Sequence, residues 1–316
     1  MSIDLLRRRL LQSMGAAAAA LAAPTPAFAA ASTRLAAGDG SRAPEARIGL
    51  LQTRALAVER TRPRADLARN LQHMLDWVER AQAVEAHDWL AFHDCPLTGW
   101  ERWSAAEARR IAIDLEGDEV QRLARAARAH RCHLSFGALL RLPDWPGHVI
   151  DATVFLSRRG EVASVQWAAL PAGGPLARAG VTSLAEVLDE YLERYGRTAL
   201  LRVATTDIGQ LCALPATADP ALAPALARAG AEFVLRTHAG PPTPACLAGA
   251  ASCARERIHG GFVNAAVTTD LPAFLDSPTG GGTALHGPDG ATLAMAEDGG
   301  ERCVAARLSL GSGRHA

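Results

Sequence analysis

Residues 88–100 read DWLAFHDCPLTGW, and this stretch decides the fold because an apolar run ends there in an ionisable pair and then a turn. Residues 90–92 are typical of the interior of a buried strand. His93 and Asp94 follow at its carboxyl end, and a proline and a glycine then break the strand. Open α/β sheets bind ligands off the carboxyl ends of their strands. The pattern therefore predicts a carboxylate at the mouth of a ligand site.

Helical and strand patterns alternate along the rest of the chain, with a hairpin pattern in the middle. The hairpin is predicted where residues 149–156 pair with residues 162–167 across a turn that ends in Gly160. Such an alternation predicts an α/β fold with two sheets covered by helices. The predicted helices are residues 65–84, 105–129, 184–195 and 221–229. The further predicted strands are residues 47–52, 133–140, 200–203, 210–214, 233–236, 261–268, 283–286 and 301–308.

Several of these segments resemble, in order, the signatures of the carbon-nitrogen hydrolase (nitrilase and amidase) superfamily. The stretch that contains Asp94 is similar to the family's Phe-Pro-Glu, short loop and glycine. Residues 47–52 resemble the family's first strand, residues 209–231 its nucleophile strand with the following helix, and residues 280–294 its closing segment. The resemblance covers nearly the whole chain after residue 46. It implies a four-layer αββα sandwich of the nitrilase type, usually paired into dimers through outer helices.

The resemblance also implies a reaction with three catalytic groups. In the family, a glutamate takes the proton of a cysteine, a lysine stabilises the oxyanion, and the cysteine attacks an amide or nitrile carbon. Asp94 stands at the glutamate position, so a carboxylate remains but is one methylene shorter. The family's lysine falls eight residues after the hairpin glycine, and counting from Gly160 gives Ala168. All 33 lysine and arginine residues are arginine, so the Glu-Lys-Cys triad cannot form.

The sequence leaves the position of the nucleophile open. Counting forward from Gly209 gives Ala213, whereas counting back from the Gly-Ala pair at 230–231 gives Leu214. Cys212 lies one residue before the first of these positions, and one residue along a strand reverses the face. A bulge between the two landmarks could re-aim Cys212 toward the site. Otherwise Cys212 is a buried core thiol.

Other chemistry at the same strand end is an alternative. Histidine titrates near neutral pH, so His93 could activate a water, or the site could use the thiol of Cys95. A metal held by His130, His133 and Asp94 is a further alternative to solvated or core histidines.

The cysteines themselves indicate no metal cluster. The six cysteines form no CxxC pair, so a zinc site built from cysteines is not expected. No cofactor is expected. Cys246 and Cys253 are the nearest pair for a disulfide, which a domain of this size does not need.

The first 29 residues are typical of an export signal. Residues 7–9 are three arginines with a twin-arginine character, an alanine-rich apolar stretch follows, and residues 27–29 offer a small-residue cleavage site. The apolar stretch is shorter than the roughly 20 residues that span a bilayer, so no stable membrane insertion is expected. The protein is therefore predicted to reach the periplasm through a Tat-like signal that is cleaved after Ala29.

The remaining chain is predicted to form one domain. Residues 30–46 are a flexible leader, residues 47–310 a carbon-nitrogen hydrolase-like domain, and residues 311–316 a tail. Without the signal, 30 basic residues face 32 acidic ones, and this near-neutrality argues against a nucleic-acid partner. The expected partners are a small amide- or nitrile-like ligand and further copies of the chain, in a homodimer or a higher homo-oligomer.

Two functions remain open on this basis. The first is an exported carbon-nitrogen hydrolase that acts on a small amide, nitrile or carbamoyl compound, with Asp94 as base and Cys212 as nucleophile. Its catalysis is impaired or altered because Ala168 replaces the lysine. The second is a catalytically silent member that keeps the pocket for ligand binding or the dimer face for assembly. Cys212 within hydrogen-bonding reach of Asp94 would support the first, and Cys212 on the opposite face would support the second.

Overall fold

The computed structural model describes Gln12 and residues 45–99, 103–169, 180–215, 222–241, 244–267 and 280–310, without the side chains of residues 244–248 and 250. Apart from Gln12, the predicted signal peptide lies outside the described residues, as do most of the leader and the tail. The described strands are β1 (Glu45–Gln52), β2 (Trp89–Phe92), β3 (Ile113–Asp114), β4 (His133–Arg141), β5 (Ile150–Leu156), β6 (Val162–Trp167), β7 (Ala204–Thr206), β8 (Gly209–Pro215), β9 (Phe233–Thr237), β10 (His259–Val263), β11 (Ala284–His286), β12 (Thr292–Met295) and β13 (Arg302–Ser309). The described α-helices are α1 (Pro63–Val84), α2 (Ala105–Ile111), α3 (Asp118–His130), α4 (Leu188–Tyr195), α5 (Ala223–Arg228) and α6 (Pro244–Arg255).

Two sheets form the centre of the molecule. The first has the strand order β13-β1-β2-β4-β5-β6, with β3 beside β4, and the second has the order β12-β11-β10-β9-β8-β7. Strands β1, β2 and β4 are parallel to one another, as are β8, β9 and β10. With helices on the outer faces, this arrangement confirms the predicted α/β fold, an αββα sandwich.

Aromatic side chains fill the space between the sheets. The ring of Trp89 lies 5.2 Å from that of Phe155 in the first sheet and 5.3 Å from that of Phe233 in the second. The indole nitrogen of Trp89 donates to Ser135 Oγ at 3.0 Å, so the polar end of the buried ring has a partner.

The strand residues next to Trp89 point the other way and meet the helices. On α1, Leu67, Leu71, Met74 and Val78 form the buried stripe expected of an amphipathic helix.

The carboxyl ends of the parallel strands in both sheets meet at one end of the sandwich. The backbone nitrogen of Ala266, beyond β10, donates to Thr53 O, beyond β1, at 2.8 Å. The backbone nitrogen of Asp94, beyond β2, donates to His238 O, beyond β9, at 3.3 Å. Segments that follow strands of different sheets are therefore in direct contact, and this end of the molecule gathers the polar residues of both.

Four predicted segments differ from the structure. The strand predicted for residues 261–268 is β10, which begins at His259 and ends at Val263. The helix predicted for residues 105–129 is two helices, because Ile113 pairs with Leu140 as the short strand β3 and a turn at Gly117 begins α3. The helix predicted for residues 184–195 begins as a 3₁₀ turn and becomes α-helical only in α4. The strand predicted for residues 200–203 is wrong.

The error at residues 200–203 has a local cause. Residues 197–200 form a 3₁₀ turn after Gly196, whose φ is 74°, and the strand begins only at Ala204. Leu200 and Leu201 are apolar because they pack in the core, not because they pair in a sheet. Four elements, β3, β7, α6 and β12, were not predicted. Among the described residues, no helix has the length and apolar character needed to cross a membrane.

Candidate active site

The chain beyond β2 passes over β4 in the space between the sheets. A Cβ atom on Gly137 would lie 1.9 Å from the carbonyl oxygen of Asp94, so only glycine permits this close approach. The backbone nitrogen of Gly137 donates to His93 O at 3.1 Å, and that of Asp94 donates to His238 O at 3.3 Å. Asp94 is thus fixed through its backbone to both sheets, and its residue is 7% exposed. The predicted base position lies at the junction of the sheets.

His93 is a fully buried and neutral neighbour of Asp94. Its Nδ1 accepts a hydrogen bond from the backbone nitrogen of Cys95 at 3.3 Å, so the proton of the neutral ring is on Nε2, which lies 3.1 Å from Thr53 Oγ1. Burial lowers the pKa of His93 to about 3, and the nearby His73 acts in the same direction. With both ring nitrogens engaged, His93 holds the chain in position and is poorly suited to activate a water.

Ala168, the position of the missing lysine, lies beside a buried carboxylate. Its backbone nitrogen donates to Asp151 O at 2.7 Å, which extends the pairing of β5 with β6. On this face of β5, Thr153 Oγ1 is 3.3 Å from Thr237 Oγ1 of the second sheet, so the face looks between the sheets. Asp151, two residues from Thr153, shares that face. It is 7% exposed, and Ala168 is 2% exposed.

Asp151 is a residue that the sequence analysis missed. The sequence contained one indication of its importance, because Asp151 is a charged residue inside the apolar run of residues 149–156. Charged side chains are rarely buried without a specific partner. The neighbouring Gln166 offers no substitute for the lysine. Its side-chain oxygen accepts from the backbone nitrogen of Arg202 at 3.0 Å, and its nitrogen points to Leu200 O at 3.5 Å.

Cys212 lies on the side of the second sheet that is covered by helices. It pairs in register with Val234 of β9 and packs in the same apolar cluster as Val234 and Cys253 of α6. The residue is 1% exposed, and burial raises the pKa of its thiol to about 12, with a further increase from Cys253 and an opposing effect of Arg236. Such a thiol is protonated at neutral pH and is a weak nucleophile.

The next residue, Ala213, has the orientation that Cys212 lacks. It packs with Leu211, Phe233 and Leu235 in the cluster between the sheets. Leu214 returns to the helix-covered side with Cys212. Strand β8 runs without a bulge from Leu211 to Pro215 in its pairing with β9. The structure therefore brings Asp94, Ala168 and Ala213 to the space between the sheets and leaves Cys212 outside it.

The histidines considered for a metal site have other partners. His130 Nε2 lies 3.0 Å from Glu79 on α1, and His133 Nε2 lies 3.0 Å from Asp207 in the turn between β7 and β8. Within the part of the chain that the structure describes, no three histidine, cysteine or carboxylate side chains converge as metal ligands.

Comparison with known proteins agrees with the fold. The αββα sandwich is of the class defined by carbon-nitrogen hydrolases. A model of the carbon-nitrogen hydrolase family matches residues 47–316. The chain belongs to this family, which confirms the superfamily predicted from the sequence. A comparison with curated proteins finds no match.

Solved amidase structures are similar to this chain over most of its length. An amidase from Nesterenkonia sp. has 18% identity and a TM-score of 0.60, with 88% of this chain and 96% of that chain covered. A cysteine-to-alanine mutant of that amidase in complex with butyramide has 19% identity and a TM-score of 0.61, with 84% and 91% covered. A glutamate-to-glutamine mutant with acrylamide added to its active site cysteine has 18% identity and a TM-score of 0.60, with 83% and 93% covered. At these identities the likeness shows the fold alone.

Proposed function

We propose that this protein is a member of the carbon-nitrogen hydrolase family that binds a small ligand between its sheets without hydrolysing it through a cysteine. The observation that carries the proposal is the orientation of β8. The side chain that faces the ligand space at the nucleophile position belongs to Ala213, and the thiol of Cys212 packs against α6. A methyl group cannot attack an amide or nitrile carbon.

The loss of the cation supports the same proposal. A tetrahedral oxyanion needs donors or positive charge close to its oxygen, and removal of one such group typically costs on the order of a hundredfold or more in rate. Ala168 supplies neither, since its side chain is a methyl group. A site with this lining is poorly suited to the family's transition state.

A second candidate function is hydrolysis by a different nucleophile. Its support is that Asp94 keeps a carboxylate at the family's base position, with the thiol-bearing Cys95 next to it in the chain and fully buried. In this alternative the protein acts on a small amide, nitrile or carbamoyl compound, with Asp94 as base.

Labelling with iodoacetamide and an ammonia-release assay with butyramide together distinguish the two functions. The native mature protein, Cys212→Ala, Cys95→Ala and Asp94→Asn are compared. We expect no ammonia and no selective labelling of Cys212 or Cys95, because both residues are buried and the thiol of Cys212 has a pKa of about 12. Cys212→Ala should lower the free energy of unfolding by about 1 kcal/mol through lost packing and leave all other readouts unchanged.

The contrary result is equally specific. Selective labelling of Cys95 that drops in Asp94→Asn, together with ammonia release that drops in Cys95→Ala, would establish the hydrolytic alternative. Selective labelling of Cys212 that depends on Asp94 would contradict the orientation of the Cys212 side chain away from the space between the sheets.

Export and self-association belong to the same proposal. The arginine-rich and alanine-rich residues 1–29 support export through a Tat-like signal to the periplasm. Pairing of copies through outer helices, as a homodimer or a higher homo-oligomer, is proposed from the family resemblance. Cell fractionation of a variant with residues 7–9 changed to lysine tests export. Light scattering of the purified mature chain tests self-association.

A further inference from the structure

We propose that Cys303 is a site of thiol–disulfide exchange, where its sulfur takes one half of a small disulfide while His87 accepts the thiol proton. Cys303 lies on β13, at the edge of the first sheet, and His87 lies just before β2. The Nε2 atom of His87 is 3.8 Å from Cys303 Sγ, within hydrogen-bonding distance for sulfur. Cys303 packs on the helix-covered side of its sheet, so this pair is separate from the candidate active site between the sheets.

A glycine makes room for the pair. A Cβ atom on Gly49 of β1 would lie 2.8 Å from His87 Cδ2 and 3.0 Å from Cys303 Sγ, so a larger residue would push against both side chains. The backbone of His87 is held by α1, because its nitrogen donates to Gln82 Oε1 at 2.8 Å and its carbonyl oxygen accepts from Gln82 Nε2 at 3.1 Å. The imidazole is therefore positioned against the thiol from both sides.

The surroundings of His87 suit it to accept a proton and to release it again. Burial lowers the pKa of His87, and the charge of Arg47 lowers it further. The ring is therefore neutral at neutral pH and can act as a base. A hydrogen bond with the backbone of Glu85 and the charges of Glu85 and Asp88 act in the opposite direction, so they stabilise the ring once it has taken a proton.

The thiol of Cys303 needs such a base and is open to solvent. Burial raises the pKa of this thiol to about 11, and Arg47 acts in the opposite direction, so few molecules carry a thiolate at neutral pH without a proton acceptor. Among the described cysteine side chains, Cys303 alone is half-buried. The fully buried ones are Cys95, Cys132, Cys212 and Cys253. A dissolved disulfide therefore reaches Cys303 more readily than these four.

The exchange balances without a further reagent. The sulfur of Cys303 attacks one sulfur of a disulfide RSSR as the thiol proton passes to Nε2 of His87. The S–S bond of RSSR breaks, and the departing thiolate takes the proton back from His87. The products are the mixed disulfide of Cys303 with RS and one molecule of RSH, so RSSR is itself the oxidant.

Incubation of the native mature protein with oxidised glutathione, followed by mass spectrometry of its cysteine peptides, tests the proposal. We expect Cys303 to form the mixed disulfide about tenfold or more faster than Cys95, Cys132, Cys212 or Cys253, because it combines exposure with an adjacent base. Equal rates, or a faster reaction at any of the four buried cysteines, would overturn the proposal. This ranking is measured on the wild-type chain and needs no variant.

Three variants test the role of His87. His87→Gln, which cannot take the proton, should slow the reaction of Cys303 about tenfold or more and leave the slow rates at the four buried cysteines unchanged. His130→Gln, at the histidine beside Glu79, is the control and should keep the wild-type rate. A wild-type rate in folded His87→Gln overturns the proton transfer. Cys303→Ser should abolish the fast release of reduced glutathione, and fast release that persists overturns the site even if His87→Gln fails to fold.

Discussion

Because His93 is buried, its ring is unsuited to acid–base chemistry and serves a structural role. Its ring bridges Thr53, beyond β1, and the backbone of Cys95, so it fixes the segment that carries Asp94. The pKa of about 3 means that the folded protein binds a proton at this ring only under strongly acidic conditions. An unfolded chain binds that proton near pH 6.5.

The stability of the protein should therefore fall as the pH falls from about 6.5 toward 3, because the unfolded state binds more protons in this window. His93 alone contributes a slope of about 1.4 kcal/mol per pH unit. His93→Gln, which cannot be protonated, should lose this part of the slope in urea unfolding followed at several pH values. His130→Gln, on the protein surface beside Glu79, is the control and should keep the slope. A wild-type slope in His93→Gln would contradict the assignment.

Single residues also mark what the sequence could and could not predict about the site. Asp94 was found from the apolar run and the turn on either side of it, and Ala168 by counting from Gly160, whose positive φ marks the hairpin turn. The face of Cys212 could not be found in this way, since two landmarks gave different counts and only the pairing with Val234 decides between them. The relevance of Asp151 depends on which sheet covers β5, and that is a property of the tertiary structure.

At the scale of elements, the passage of the chain over β4 depends on the missing side chain of Gly137. Gly137→Ala should lower the free energy of unfolding by about 3 kcal/mol, since a Cβ 1.9 Å from a backbone oxygen forces the two segments apart. It should also weaken ligand binding, because the displaced segment carries Asp94. Urea unfolding measures the first effect, and isothermal titration with butyramide measures the second.

Gly300→Ala is the matched control for this prediction. A Cβ there would lie 3.0 Å from Oδ1 of Asp298, the tip of an exposed side chain that can move aside. Its cost should be within about 1 kcal/mol. Equal costs for the two variants would show that the crossing over β4 is not tightly packed.

The elements differed in how well the sequence predicted them. The hairpin of β5 and β6 and the helix α1 follow from apolar periodicity, which reflects one buried face of each. Helix α6 has the sequence PACLAGAASCAR, in which small residues give little periodicity, and it was missed. The division of residues 105–129 depends on the pairing of Ile113 with β4, which a local pattern does not contain.

At the scale of the whole molecule, one aromatic core connects both sheets. Because the ring of Trp89 contacts Phe155 and Phe233, we expect the sheets to unfold as one unit. Near- and far-ultraviolet circular dichroism should show coincident urea transitions, and Trp89→Ala should lower both midpoints together, at a cost of about 4 kcal/mol. Trp77→Ala, on the partly exposed side of α1, should cost about 1 kcal/mol. Two separate transitions in the wild type would contradict this expectation.

The pairing of β1 with β13 has a consequence for the order of synthesis. β1 begins at Glu45, and its antiparallel partner, from Arg302 to Ser309, is made more than two hundred residues later. Until the ribosome has released that last strand, one edge of β1 has no backbone partner, and an open edge of this kind invites pairing with other chains. Completion of the first sheet is therefore a late event, and a nascent chain stalled before Arg302 is the form of this protein most prone to aggregate.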